Sequence, residues 1–188
     1  MMNIDKRSGY TKVHIIKAML LMMDAPLGRN KLMKELYINE ATARTLLRKL
    51  EKNSIVVTTS RGHKLTKKGI TLSRKYNTKI KGPYFIKKSN ITVSKYNVAF
   101  IVKKSSSKIK LGIEQRDKAI KMDADGLTTI IKKSRFIIPS IEHWIIPKYI
   151  EKLFSSKCNK GDVVLIGSAK NKETAELAAL SAAIELLS

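Results

Sequence analysis

Arg44, Thr45, Arg48 and Lys52 recur at the spacing of one helix face, with the small Ala41 a turn ahead of them. Two guanidinium groups can take bidentate contacts to phosphate or to a guanine edge. Thr45 can hydrogen-bond a base or meet a thymine methyl, and Ala41 lets the first turn approach a groove closely. Ala43, Leu46, Leu47 and Leu50 fall at i, i+3, i+4 and i+7 on the opposite side, which is a core stripe. Residues 55–59 then read as a β-branched strand, Arg61-Gly62 turns the chain, and residues 64–66 return. Arg61, His63 and Lys64 stand at the tip of that ribbon, where they would reach phosphates or a minor groove. His63 reads as a solvent-exposed residue of the ribbon, not a switch or a ligand. The candidate DNA contacts are Asn39, Ala41, Thr42, Arg44, Thr45, Arg48, Lys52, Arg61, His63 and Lys64.

A charged helix face taken alone is more often a solvated surface, so the elements around it decide. Residues 11–23 carry a helical stripe of Val13, Ile16, Met19, Leu20 and Met23. Ile15, Ala18 and Met22 form a second apolar strip beside it, which fits either a partner surface or a wider core face. Pro26 and Gly28 break the chain before a short helix over 29–36, with Leu32 and Leu36 inward. Tyr37-Ile38 make a turn, and Asn39 is suited to cap the helix over 39–52. Thr66 caps a further helix over 67–80 with Leu72, Tyr76 and Ile80 along one face. Three helices, a tight turn before the third and a β-ribbon after it predict a winged helix-turn-helix over residues 1–82.

The charge agrees with a polyanionic partner. The chain of 188 residues holds 38 Lys+Arg against 15 Asp+Glu, a formal net charge of +23. Residues 1–82 carry 19 basic and 5 acidic residues, so the excess leans toward the predicted reading domain. A generally lysine-rich proteome is the competing explanation, because net charge speaks to partners and not to fold. Cys158 is the single cysteine, and His14, His63 and His143 lack ligand spacing, so no disulfide within the chain, metal or cofactor is expected. Lys6, Arg7 and Lys12 precede an apolar patch in the manner of a signal peptide. That patch is broken by Lys17 and stopped by Asp24, and no apolar run reaches the ~20 residues of a membrane span. A cytoplasmic protein without membrane contact is expected.

Lys81-Gly82-Pro83 reads as a linker, with a second domain over 83–188. An extended region of unassigned pairing follows over 84–93. Strands are predicted over 97–103, 126–132, 135–138 and 162–168, and helices over 107–122, 141–154 (disturbed by Pro147) and 171–187. This is the element order of a ferredoxin-like sandwich, an antiparallel sheet with helices on one face, plus an extra C-terminal helix. The fold class expected is thus α+β throughout. Ile109, Gly112, Ile113, Arg116, Ala119 and Ile120 share one stripe of the 107–122 helix, which would set Arg116 against the sheet. A buried guanidinium needs a counter-charge, so Arg116 either pairs with Asp125 or Glu114 or binds an anionic ligand. Glu114, Arg116, Asp117 and Asp125 are the candidate effector-binding residues. In the last helix the strip Ala175, Ala178, Ala179, Ala182 and Ala183 adjoins Leu177, Leu180, Ile184 and Leu187. Two adjoining strips suggest burial on two sides, for instance against the sheet and a partner subunit.

The segments GRNKLMKEL, NEATARTLLRKLEKNSIV and LTKKG resemble the winged-helix domain of archaeal transcriptional regulators. GIEQRDKAIKMDADGLTTII and GDVVLIGSAKNKETAELAALSAA resemble the uncharacterised C-terminal domain found fused to such winged helices. The resemblance implies the same two-domain architecture and little about mechanism. The function expected is a DNA-binding transcriptional regulator acting as a homodimer on double-stranded DNA. A small-molecule effector at the second domain would be a further partner. A non-specific nucleic-acid-binding or chromatin-associated architectural protein is the alternative. Clustered carboxylates without a nucleophile–base pair, metal spacing or phosphate-binding loop argue against an enzyme, and no catalytic residue is assigned.

Overall fold

The computed structural model describes residues 8–188 other than Ser140 and Glu142. The protein is α+β, with two antiparallel sheets, and divides into two compact units between Asn77 and Thr78.

The first unit runs α1 (Lys12–Leu21), α2 (Arg29–Leu36), α3 (Glu40–Lys52), β1 (Val56–Thr59) and β2 (Gly62–Leu65), and then enters α4 (Lys67–Lys79). Helix α1 is buried all round from Val13 to Met19. Its second apolar strip, Ile15, Ala18 and Met22, lies in one core with Leu32, Leu36, Leu46 and Leu50, so the wider core face is the reading that holds. Burial extends to two polar side chains of α1. Lys17 sets its ammonium 4.3 Å over the Tyr37 ring, a cation–π contact. His14 accepts the Thr11 N–H on Nδ1 at 3.0 Å. Burial, and secondarily the Lys17 charge, push its imidazole down from 6.5 to about 4. Tyr37 ends α2 in the left-handed conformation, φ 57°, which turns the chain into α3.

The second unit holds β3 (Ile80–Ile86), β4 (Tyr96–Val102), α5 (Ile113–Ile120), β5 (Gly126–Lys132), β6 (Phe136–Ile137), α6 (Lys148–Ser155), β7 (Val163–Ala169) and α7 (Lys172–Leu186). The sheet order is β3-β4-β7-β5-β6, antiparallel at every pairing. Lys81-Gly82-Pro83 is no linker, because it lies inside β3. Ile80 pairs with Val102 and Tyr84 with Ala99, with a bulge between Lys81 and Tyr84. Proline has no N–H for a ladder, and a bulged edge strand is where it is tolerated.

The sheet is covered on both faces, where the element order led to the expectation of helices on one. Val164 and Ile166 of β7 share a core with Ala99 and Ile101 of β4 and with Ile150 and Phe154 of α6. Gly167 points to the opposite face, under α7, where an added Cβ would lie 2.4 Å from the Ala175 carbonyl oxygen. Strands β4 and β7 are buried almost throughout, and a strand without a polar face must be packed on both sides. The alanines of α7 and its Leu180 and Ile184 are all buried. Helix α7 packs on β4 and β7 and also on α5, so the two-sided burial is found within this chain. Asn171 caps α7 as expected, accepting the Thr174 N–H at 2.8 Å.

Two helices differ from expectation. In place of one helix over 107–122 there is a short 3-10 turn (Ser106–Lys108), a break, and then α5, which starts after Gly112 at φ 83°. Pro147 begins α6 instead of disturbing it, since proline suits the first turn, where no N–H is needed. Beside β7 the buried Asp162 ties three segments together. It accepts from Lys103 Nζ at 2.8 Å and from the N–H groups of Lys104 and Asn159, each at 2.9 Å. Burial by itself would raise this carboxyl, but those hydrogen bonds outweigh it and hold the pKa below the ordinary value. The Cys158 thiol, buried nearby, is pushed up to about 11 by burial first and by Asp162 second, against the pull of surrounding lysines.

Candidate nucleic-acid interface

Helix α3 separates its residues as an interface helix would. Ala43, Leu46, Leu47 and Leu50 are buried, while Ala41, Arg44, Thr45, Arg48 and Lys52 are exposed. Asn39 caps the helix, its side chain accepting the Thr42 N–H at 2.9 Å. Its amide is therefore engaged in building α3. Thr42 is half-buried beside Gly9, whose ideal Cβ would lie 2.8 Å from the Thr42 hydroxyl. Glu40 organises the exposed arginines, receiving Arg44 at 3.0 Å and Arg29 from α2 at 3.3 Å. Thr45 donates its hydroxyl to the Ala41 carbonyl at 3.0 Å, so its proton is engaged within the helix while the residue stays exposed. Arg48 and Lys52 lie further along the same face.

The ribbon is held close to α3. Val56 pairs with Leu65 and Thr59 with Gly62, so Ser60 and Arg61 form the tip. Arg61 and Lys64 are exposed. His63 does not stand free at the tip, as the sequence led us to expect. It sits directly across from Thr58, its Nδ1 is 2.9 Å from the Thr58 hydroxyl, and it is 3.9 Å from Glu51 of α3. Cross-strand pairing places these two side chains on one face, and Thr58 also donates to Glu51. His63 thus braces the ribbon against the end of α3.

Two supports of this site were not drawn from the sequence. Leu27 forms a bridge to the ribbon, its N–H donating to the His63 carbonyl at 2.8 Å and the His63 N–H returning at 2.9 Å. Gly62, at φ 113°, lies so near Leu27 that a Cβ would come within 2.7 Å of its carbonyl oxygen. Glu40 is the other, and an acidic residue in the first helical turn was its only sequence signal.

In the second unit the four candidate effector residues part company. Arg116 is exposed and does not face the sheet. Gln115 and Ala119 take that side of α5, because the helix begins at Ile113 and its stripe is rotated from the one expected. Arg116 and Asp125 line one cleft of about 420 Å³, together with Leu111, Ile113, Thr129 and Trp144. Glu114 and Asp117 are exposed and do not line it. Among the described residues no helix is long and apolar enough to cross a membrane.

The two halves of the chain correspond to two described domains. Residues 13–71 match the PH0730-like N-terminal domain, and residues 93–186 match a domain of unknown function, DUF4443. The chain belongs to this DUF4443 family, and the pair of matches fits an archaeal two-domain protein. A solved structure similar to it is the hypothetical protein PH0730 from Pyrococcus horikoshii OT3. The two are 30% identical, with 94% of this chain and 92% of that one covered and a TM-score of 0.73. No curated protein matches the chain.

Proposed function

We propose that this protein is a DNA-binding transcriptional regulator whose first unit works as a winged helix-turn-helix. The observation that carries the reading is the division of α3 into a buried apolar face and an exposed face with Arg44, Thr45, Arg48 and Lys52. A ribbon with Arg61 and Lys64 exposed lies directly after it. In this reading α3 enters a major groove, with Arg44 and Arg48 at base edges or phosphates and Lys52, Arg61 and Lys64 on flanking phosphates. Asn39, Thr42 and His63 hold the reading surface in shape. Action as a homodimer would require two half-sites about 34–36 Å apart, one helical turn.

The net charge of +23 favours a second reading, an architectural protein that binds duplexes without sequence preference. Selection of bound fragments from random and genomic duplex DNA at near-physiological salt separates the two. A regulator enriches a motif with two-fold symmetry, and an architectural protein enriches none. The variant Arg44→Ala/Arg48→Ala, altered only at exposed positions, should lose the motif while keeping its thermal unfolding profile. Unchanged enrichment by that variant would defeat the assignment of α3 as the reading helix.

A further inference from the structure

We propose that the cleft beside β5 binds a small molecule bearing a carboxylate on an apolar body. This goes beyond the DNA-binding reading and does not depend on it. Strand β6 pairs only with Ile131 and Lys132, so it leaves the first part of β5 open along that edge. The cleft of about 420 Å³ lies there, within the roughly 300–1,000 Å³ usual for small-molecule sites. Apolar side chains are left in solvent around it: Leu111 is 53% exposed, Ile113 54%, Val93 64% and Trp144 43%. Large apolar groups gathered at the rim of a concavity mark a place where something docks.

The polar groups say what kind of molecule. Thr129 lines the cleft and is only 4% exposed, yet its hydroxyl has no hydrogen-bond partner among the described residues. A buried hydroxyl is ordinarily satisfied, so this one awaits a ligand atom. It lies against the start of α5, since an ideal Cβ on Gly112 would be 2.9 Å from the Thr129 oxygen. No side chain caps that helix start, and Gly112 and Ile113 both line the cleft. Arg116, one turn further along, adds a guanidinium that makes no ion pair among the described residues. Guanidinium, hydroxyl and helix start all border this one cleft, and together they suit an anionic group. Asp125 lines the same cleft and would repel a multiply charged phosphate, so a carboxylate is the anion that fits. Asp125 can receive an ammonium, so two sources supply such a carboxylate, a simple organic acid and an apolar α-amino acid, and the test tells these apart.

Trp144 is the single tryptophan of the chain and a wall of the cleft, so its fluorescence reports occupancy. The full-length protein is titrated with hexanoate, phenylpropionate, L-leucine and L-phenylalanine, with phenylpropanol as the uncharged control. Saturable changes are expected for the carboxylates, with phenylpropanol and the variant Arg116→Gln each weakening binding by about tenfold. Thr129→Val should weaken it several-fold, while Glu114→Gln and Asp117→Asn, outside the cleft, leave it unchanged. Tighter binding of the amino acids, lost in Asp125→Asn, identifies an amino-acid site; equal or weaker binding identifies a simple acid. No saturable change with any of the four compounds overturns the proposal. So does undiminished affinity in Arg116→Gln, an exposed substitution that does not threaten the fold.

Discussion

Acidification should weaken the first unit through a single imidazole. His14 is 8% exposed, and its Nδ1 accepts the Thr11 N–H at 3.0 Å, which it can do only when that nitrogen carries no proton. In the unfolded chain the ring protonates near 6.5, whereas in the fold it resists until about 4. Between those values the unfolded state binds more protons, so stability falls as the pH falls. The loss begins near 6.5 and is complete near 4, and the difference between the two values corresponds to about 3 kcal/mol. That is a large part of the roughly 5–15 kcal/mol typical of a domain. The assay is denaturant unfolding followed by circular dichroism at a series of pH values, for the natural protein and for His14→Gln. Glutamine can still accept the Thr11 N–H but does not titrate, so its stability should stay nearly flat across this interval. Equal pH slopes for the two proteins would refute the argument, as would a His14 resonance titrating near 6.5 in the folded state.

Three further outcomes follow from the same structure. Asp162→Ala leaves two N–H groups without their acceptor and takes from the Lys103 ammonium its counter-charge, though not its bond to the Lys157 carbonyl, and should cost about 1–3 kcal/mol in equilibrium unfolding. Cys158, buried with its thiol pushed up to about 11, should resist thiol reagents at neutral pH until denaturant is added, as read by mass spectrometry. If Arg61 and Lys64 contact phosphates, replacing both with alanine should make the slope of log affinity on log salt shallower by about 2 per subunit, with site preference intact.

How far the sequence led depends on which residues bore the signal. The α3 stripe was legible because Ala43, Leu46, Leu47 and Leu50 and the charged residues opposite repeat without interruption, and Asn39 marks the start. Arg116 was misplaced because one helix was read through Gly112, whose positive φ begins α5 there and rotates its buried face to Gln115 and Ala119. Periodicity cannot reveal such a break when the residues on both sides are apolar. The two-sided cover of the sheet is present in the unbroken apolar runs of β4 and β7, whereas the element order by itself does not carry it. Two residues of the cleft, Arg116 and Asp125, were among the candidates drawn from the sequence, but its shape was not legible. It depends on β6 stopping after two residues and on Thr129 meeting Gly112, and neither leaves a pattern along the chain. Likewise the Leu27 bridge rests on backbone atoms, which any residue could supply.

That bridge has a consequence for how the exposed face can change over evolutionary time. Leu27 grips His63 by two backbone bonds, Thr66 donates its hydroxyl to the Ser54 carbonyl at 2.7 Å, and Glu51 takes Thr58, so the ribbon is fastened at base, middle and side. A molecule that docks on this face meets a backbone already set in shape, and little chain freedom is left to lose on contact. The fastenings use main-chain atoms and the side chains of Thr66, Thr58 and Glu51, and none of them uses Arg44, Arg48, Lys52, Arg61 or Lys64. Substitutions at those five positions can therefore rewrite what the surface prefers while the frame that presents them stays the same.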